Sequence, residues 1–229
     1  MRALLEPLIY RDGDFLHFAD SQWIRAQVGD PEELRRMAKV LLRQRTVLVR
    51  LRIDDASEVE RLAEYWGRGG RRTDLRPLLE SVAGTGEDRS IDIIHLLPAF
   101  ARDHLYRYPR ITTGDLDKGL LANCLWSALN FFAVVPDDRF TDVNAALTSL
   151  RNDYYVVQTD AQLGDVVAFL DEDGDLFHVA VQVADGLVFS KNGTSPMAPW
   201  AFQTVDQLKG YYRARSANPR LIYHRRNGF

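Results

Sequence analysis

Hydrophobic and polar positions along this chain change rhythm near its midpoint. The first half carries helical spacing. Asp30-Pro31-Glu32-Glu33 combines a cap, a first-turn proline and early acids, and the segment it opens sets Leu34, Met37, Ala38, Leu41 and Leu42 on one helical face. Thr46–Ile53 then alternates, with Val47, Val49, Leu51 and Ile53 set against Thr46, Arg50 and Arg52, as a half-buried strand does. Ser57-Glu-Val-Glu60 has the form of a capping box for a helix that ends near Trp66 and Gly67. Further helices are predicted over Asp74–Val82 and Ile91–Tyr106, the latter stopped by Pro109.

After one apolar helix beginning near Cys124, the second half becomes strand-like. Asp165–Leu170, Leu176–Val183 and Leu187–Ser190 are short β-type runs, joined by the turns Asp171-Glu-Asp-Gly-Asp175 and Ala184-Asp185-Gly186. A helix around Val205–Tyr212 and a strand Leu221–His224 follow. Helices first and an antiparallel meander afterwards predict an α+β fold with segregated elements. The expected division is residues 1–110, mainly helical and of unassigned role, and residues 111–229 as a second domain. Thr46–Ile53 joining the later sheet would instead make one continuous fold.

Composition narrows the function classes. The 229 residues are 46% hydrophobic, enough for a sizeable core, and 29 basic side chains against 32 acidic ones leave a net charge of -3. The two signs are nearly balanced on either side of Arg110, so no polyanion-binding face is expected and nucleic acid is not a predicted partner. No apolar run approaches the roughly 20 residues that cross a bilayer, so no membrane partner is expected. The opening Met1-Arg-Ala-Leu-Leu-Glu-Pro meets an acid too early for a secretory signal. The expectation is a cytoplasmic protein, with export by another route left open. A single cysteine excludes an internal disulfide and any multi-cysteine metal site, and His17, His95, His104 and His224 show no metal-ligand spacing.

That cysteine is the candidate for chemistry. In Leu121-Ala-Asn-Cys-Leu-Trp-Ser-Ala-Leu-Asn-Phe-Phe132 an apolar stripe (Leu121, Leu125, Leu129, Phe132) follows the cap candidate Asn123. Cys124 then falls in the first helical turn, where unpaired backbone N–H groups favour the thiolate. A nucleophile needs a base and the base needs an orienting partner. If Ala184-Asp185-Gly186 is a three-residue loop, facing residues put His178 opposite Asn192, Ala180 opposite Ser190 and Gln182 opposite Val188. The small Ala180 and Ser190 are then expected to leave room for the Cys124 helix, with Val179, Val181, Val183, Leu187 and Phe189 on the other, core-facing side.

A cysteine at a helix start, then an antiparallel sheet with a histidine opening one strand and a polar residue ending the next, resembles the papain-like cysteine peptidase and amidase fold. The likeness is to its compact bacterial branch, the NlpC-type endopeptidases. It is carried by Asn123-Cys-Leu-Trp-Ser-Ala-Leu-Asn130, Leu163-Gly-Asp-Val-Val-Ala-Phe169, Phe177-His-Val-Ala-Val181 and Val188-Phe-Ser-Lys-Asn-Gly193, and covers about residues 110–229. The NlpC branch commonly has a second histidine where this chain has Asn192, which matches the wider papain-like pattern.

The resemblance implies a cysteine hydrolase cleaving an amide or peptide bond through a thioester, with a peptidoglycan-type peptide among the substrates it brings to mind. Cys124 would be the nucleophile, His178 the base and Asn192 its orienting residue. The Cys124 backbone N–H is one expected oxyanion donor, with Asn123 and Gln162 as candidates for the second. Trp126, Ser190 and Trp200 are candidate groove residues, with Tyr154 and Tyr155 also considered; no cofactor and no metal is implied. Two alternatives stand beside this reading: an acyltransferase or transglutaminase-like enzyme on the same Cys-His-Asn site, and a non-catalytic binding module with Cys124 packed inside. Outside the site, Tyr65-Trp-Gly-Arg-Gly-Gly-Arg-Arg72 follows a predicted helix and lacks a phosphate loop's Lys-Ser/Thr ending, so it reads as a helix stop and basic turn. Asp171–Asp175 lacks the distal Glu of a calcium loop and reads as a hairpin tip.

Overall fold

The computed structural model describes residues 9–12, 15–18, 30, 32–33, 36, 47–84, 89–107, 109, 121–158, 160–194 and 198–229. The chain separates into two compact units, residues 1–43 and residues 44–229. In the first, strands β1 (Ile9–Asp12) and β2 (Phe15–Phe18) pair antiparallel. Asp30 accepts from the Glu32 amide at 3.0 Å, the cap expected there, and Glu32, Glu33 and Arg36 are helical. Leu34, Met37, Ala38, Leu41 and Leu42, the apolar face predicted for that helix, lie outside the described residues.

The second unit opens with β3 (Arg50–Arg52), the paired part of the predicted Thr46–Ile53 strand. Its partner is β4 (Ser90–Asp92), so it builds a separate two-stranded ribbon. Between them lie helices α1 (Val59–Trp66) and α2 (Arg72–Gly84). Asp55, rather than Ser57, caps the 3-10 turn leading into α1, its carboxylate accepting from the Ser57 amide. The basic turn after α1 is spent inside the molecule. Arg71 donates to the carbonyls of Trp66, Arg68 and Leu96, closing orphan acceptors at the helix end. The predicted Ile91–Tyr106 helix is broken into β4, a 3-10 turn (Ile93–Leu96) and α3 (Ala99–His104). Pro98 explains the break, since it supplies no N–H and disfavours helix in the residue before it.

The remaining elements are α4 (Cys124–Leu129), α5 (Val143–Asp153), β5 (Tyr154–Val157), β6 (Val166–Leu170), β7 (Leu176–Ala184), β8 (Leu187–Lys191), β9 (Trp200–Thr204), α6 (Val205–Tyr211) and β10 (Arg220–Arg226). The last six strands form one antiparallel sheet in the order β5-β10-β6-β7-β8-β9. With the helices this is the α+β class. Among the described residues no helix is long and apolar enough to cross a membrane.

Alternation along the central strands gives the sheet two apolar faces. One carries Val166, Ala168, Val179, Val181, Val183, Phe189 and Phe202, and packs against Leu125, Ala128 and Leu129 of α4 together with Leu62, Trp66, Leu75 and Leu79 of α1 and α2. The other carries Val167, Phe169, Ala180 and Val188 under Leu208 of α6 and Tyr212 beyond it. Each of the larger of these side chains, valine, leucine or phenylalanine, contributes about 1.5–3 kcal/mol when taken from water. One core thus draws on residues from Ile53 to Phe202. The compact unit therefore begins at Gln44 rather than at the expected boundary of 111, because the apolar faces of α1 and α2 are buried on the same sheet as α4.

Candidate active site

The β7–β8 hairpin fixes the polar residues. Its tip bends through Asp185 (φ 27°) and Gly186 (φ 73°), left-handed backbone that Asp tolerates and Gly adopts freely. Gln182 faces Val188 and Val181 faces Phe189, the register expected from the turn. His178, Ser190 and Asn192 consequently share one face.

They meet as a chain rather than as a pair. Tyr212 Oη lies 3.0 Å from His178 Nδ1, and Ser190 Oγ lies 2.9 Å from His178 Nε2. Ser190 donates its one proton to Asn192 Oδ1 at 3.0 Å, and Asn192 Nδ2 donates to Gln203 Oε1 at 2.9 Å. A hydroxyl has a single proton to give, so His178 Nε2 must carry the hydrogen donated to Ser190. Nδ1 then holds the lone pair and accepts from Tyr212. The expected direct contact between Asn192 and His178 is replaced by a relay through Ser190. His178 is wholly buried, against Phe169 and the tilted Tyr212 ring, and burial pushes its pKa down to about 3. The imidazole is neutral at pH 7.

Cys124 comes to the same stretch of β7 from the opposite face. Asn123 caps α4, its Oδ1 accepting from the Trp126 amide at 2.8 Å while its Nδ2 donates to Thr141 O at 3.3 Å. Ser127 donates to Asn123 O and accepts from Trp200 Nε1 at 2.8 Å, which ties α4 to β9. Cys124 packs against the core that holds Val179, the neighbour of His178, and the Val179 amide is turned toward its sulfur. Ala180 and Ser190 were expected to make room for this helix, but α4 covers the valine face instead, where side chains rather than a gap meet it. Burial pushes the thiol up. The amides of Val179, Leu125 and Cys124 and the charge of Lys191 oppose that shift without cancelling it. Desolvation thus outweighs the helix-start effect expected from the sequence.

The other candidate residues are distributed as follows. Both ends of the Asn123 amide are engaged, one in capping and one on Thr141. Gln162 sits in the turn before β6, where Gly164 N bonds Gln182 O. Four residues of strand, about 13 Å, separate Gln182 from His178. Neither residue is therefore placed as an oxyanion donor, whereas the Cys124 N–H remains at the sulfur. Trp126 and Trp200 are buried in an aromatic cluster with Phe100 and His104, so they are core rather than groove walls. Ser190 is buried in the relay. Tyr154 and Tyr155 lie on β5, three strands from β7. Among the described residues no group of three His, Cys, Asp or Glu side chains is gathered to hold a metal ion.

Sequence reasoning missed three residues. Tyr212 and Gln203 close the two ends of the relay from elements that only folding brings there. Lys191 left a legible signal: it alternates with Ser190 and Asn192 onto the apolar face, where a lysine is rare. It is fully buried, donates to Gly193 O at 2.7 Å, and its Nζ stands 5.7 Å from the centroid of Trp200, its partner across β8–β9. Burial lowers its pKa to about 8, with Cys124 opposing. Comparison with protein-family models, curated proteins and solved structures finds no match to this chain.

Proposed function

We propose that the chain is a thiol-dependent amide hydrolase of papain-like architecture, with Cys124 as nucleophile and His178 Nδ1 as the final proton acceptor. The observation that carries this reading is the directed chain Tyr212→His178→Ser190→Asn192→Gln203 on one face of β7, with a cysteine that opens a helix packed against the other face of the same strand. The acceptor nitrogen faces Tyr212, whose hydroxyl is held un-ionised first by burial and then by the charge a Cys124 thiolate would carry. In the proposed first step the Cys124 S–H proton reaches His178 Nδ1 by way of water and Tyr212, whose oxygen takes up a proton as its own passes to Nδ1. The sulfur then attacks the amide carbonyl carbon, and its π electrons move to the oxygen, which the Cys124 N–H meets. Collapse breaks the C–N bond, the imidazolium proton returns through Tyr212 to the departing amine, and water resolves the thioester.

The Ser190–Asn192–Gln203 segment holds the ring so that Nδ1 stays the basic nitrogen, the positioning part that Asn plays in Cys-His-Asn sites. Folded protein should be alkylated by iodoacetamide at Cys124 and should release amine from a panel of short peptides, including D-residue and isopeptide linkages. Cys124→Ala should abolish both, and Tyr212→Phe should lower turnover by about 100-fold or more. A second reading, a binding module with the same shell, is favoured by the burial that keeps the thiol protonated and engages both imidazole nitrogens. Labelling that appears only on unfolding, with no turnover on any amide, would select it.

A further inference from the structure

We infer that the cleft at the far end of α4 binds a small zwitterion, an α-amino acid with an aliphatic side chain, with its carboxylate on Arg226 and its ammonium on Asp153. This binding is separate from the amide hydrolysis proposed above and makes no use of Cys124. The cleft has a volume of about 130 Å3 and is bounded by the end of α4 and the loop after it, the end of α5, the start of β5 and the end of β10. A cavity of roughly 150 Å3 holds a six-carbon ring, so this space suits a ligand of similar bulk, such as valine.

Local contacts set the walls. Buried Asn130 closes the loop after α4: its Oδ1 accepts from the Asp137 amide at 2.7 Å, and its Nδ2 donates to the carbonyls of Trp126 and Asp137. Asp137 pairs with Arg139 at 2.8 Å, and that guanidinium lies 4.8 Å from the centroid of the Phe140 ring. These two charges answer each other. The second pair in the cleft does not. Arg226 stands opposite Tyr154 in the β5–β10 register, and Asp153 O accepts from the Asn227 amide at 2.8 Å, so the backbone brings Asp153 and Arg226 side by side. Asp153 Oδ2 accepts from Ser149 Oγ at 2.5 Å, yet among the described residues its carboxylate meets no cation. Among the same residues the Arg226 guanidinium makes neither an ion pair nor a hydrogen bond. A plain anion at Arg226 is repelled by Asp153 and Asp137, and a plain cation at Asp153 by Arg226 and Arg139. A ligand bearing both signs escapes both repulsions. Leu129, Ala133 and Val135 supply an apolar lining, and Val135, 80% exposed, gains cover from an aliphatic side chain.

Titration of the full chain with L-valine, followed through backbone 1H–15N resonances, tests the site. The amides of Ala133, Asp153 and Arg226 should shift together and saturate, with a Kd of about 1 mM or tighter. Valinamide, which lacks the carboxylate, and N-acetylvaline, which lacks the ammonium, should each bind about tenfold more weakly or worse. Arg226→Gln and Asp153→Asn change exposed side chains and should cost valine a similar factor without unfolding the protein. Equal binding of valine and N-acetylvaline would overturn the zwitterion assignment and leave a plain carboxylate site. No saturable shift at about 10 mM valine, or shifts confined to amides away from the cleft, would overturn the site itself. Valine affinity unchanged in both variants would do the same.

Discussion

His178 is held neutral by burial and by two hydroxyl partners, and this makes the stability of the fold depend on pH. Its folded pKa of about 3 lies below the ordinary 6.5. The unfolded chain therefore binds the proton more readily in the window between those values. Stability is complete above about pH 6.5 and falls as pH drops toward 3, with a slope of up to about 1.4 kcal/mol per pH unit from this residue. Urea titrations across that window should show the loss in the wild type and a shallower one in His178→Gln, and parallel curves would refute the assignment. At the same scale, Ser190→Ala leaves the His178 N–H and Asn192 Oδ1 without their shared partner in the interior. It should cost about 1–3 kcal/mol in urea midpoint analysis.

The start of β6 is where several elements are clamped together. Asp165 is almost fully buried and receives both nitrogens of an Arg225 fork from β10, at 2.9 and 2.8 Å, with Arg68 at 3.5 Å from the turn after α1. The Gln162 amide bonds the same carboxylate at 2.7 Å. Next to it Gly164 has φ 89°, and a Cβ there would stand 2.1 Å from the Phe132 ring. Phe132 stacks on Phe229 at 4.9 Å and meets Phe131 edge-on, so moving its ring aside would break both contacts. Gly164→Ala combines a strained backbone with overpacking and should destabilise by about 2 kcal/mol or more, read as a fall in thermal midpoint. A thermal midpoint equal to the wild type's would mean that the Phe132–Phe229 stack is not held in place.

Across the whole molecule, residues 44–229 share one core. A chain beginning at Gln44 should melt cooperatively. A chain beginning at Ile111 removes α1, α2 and α3 and bares the sheet face on which Leu62, Trp66, Leu79 and Phe100 pack, so it should lose its cooperative transition and bind hydrophobic dyes. Circular dichroism and differential scanning calorimetry distinguish these outcomes. A cooperative melt for residues 111–229 would restore the two-domain division.

The sequence alone determined the α+β class, the strands of the β6–β7–β8 meander, the register that sets Gln182 against Val188, and the Asn123 cap that opens α4. These are local matters: side-chain period, turn residues and caps act over a few positions, so a string of letters carries them. Folding alone decided which face of the sheet each helix covers, and with it the environment of every candidate group. Two consecutive residues of β7 send His178 toward Tyr212 and Val179 toward Cys124. No period in the chain says which of those faces α4 will choose. The relay through Ser190, the closure by Tyr212 and Gln203, and the packing of Trp200 between Lys191 and Ser127 of α4 join residues far apart in sequence. Their charge states follow from burial and neighbours, and those exist only once the apolar faces have found each other.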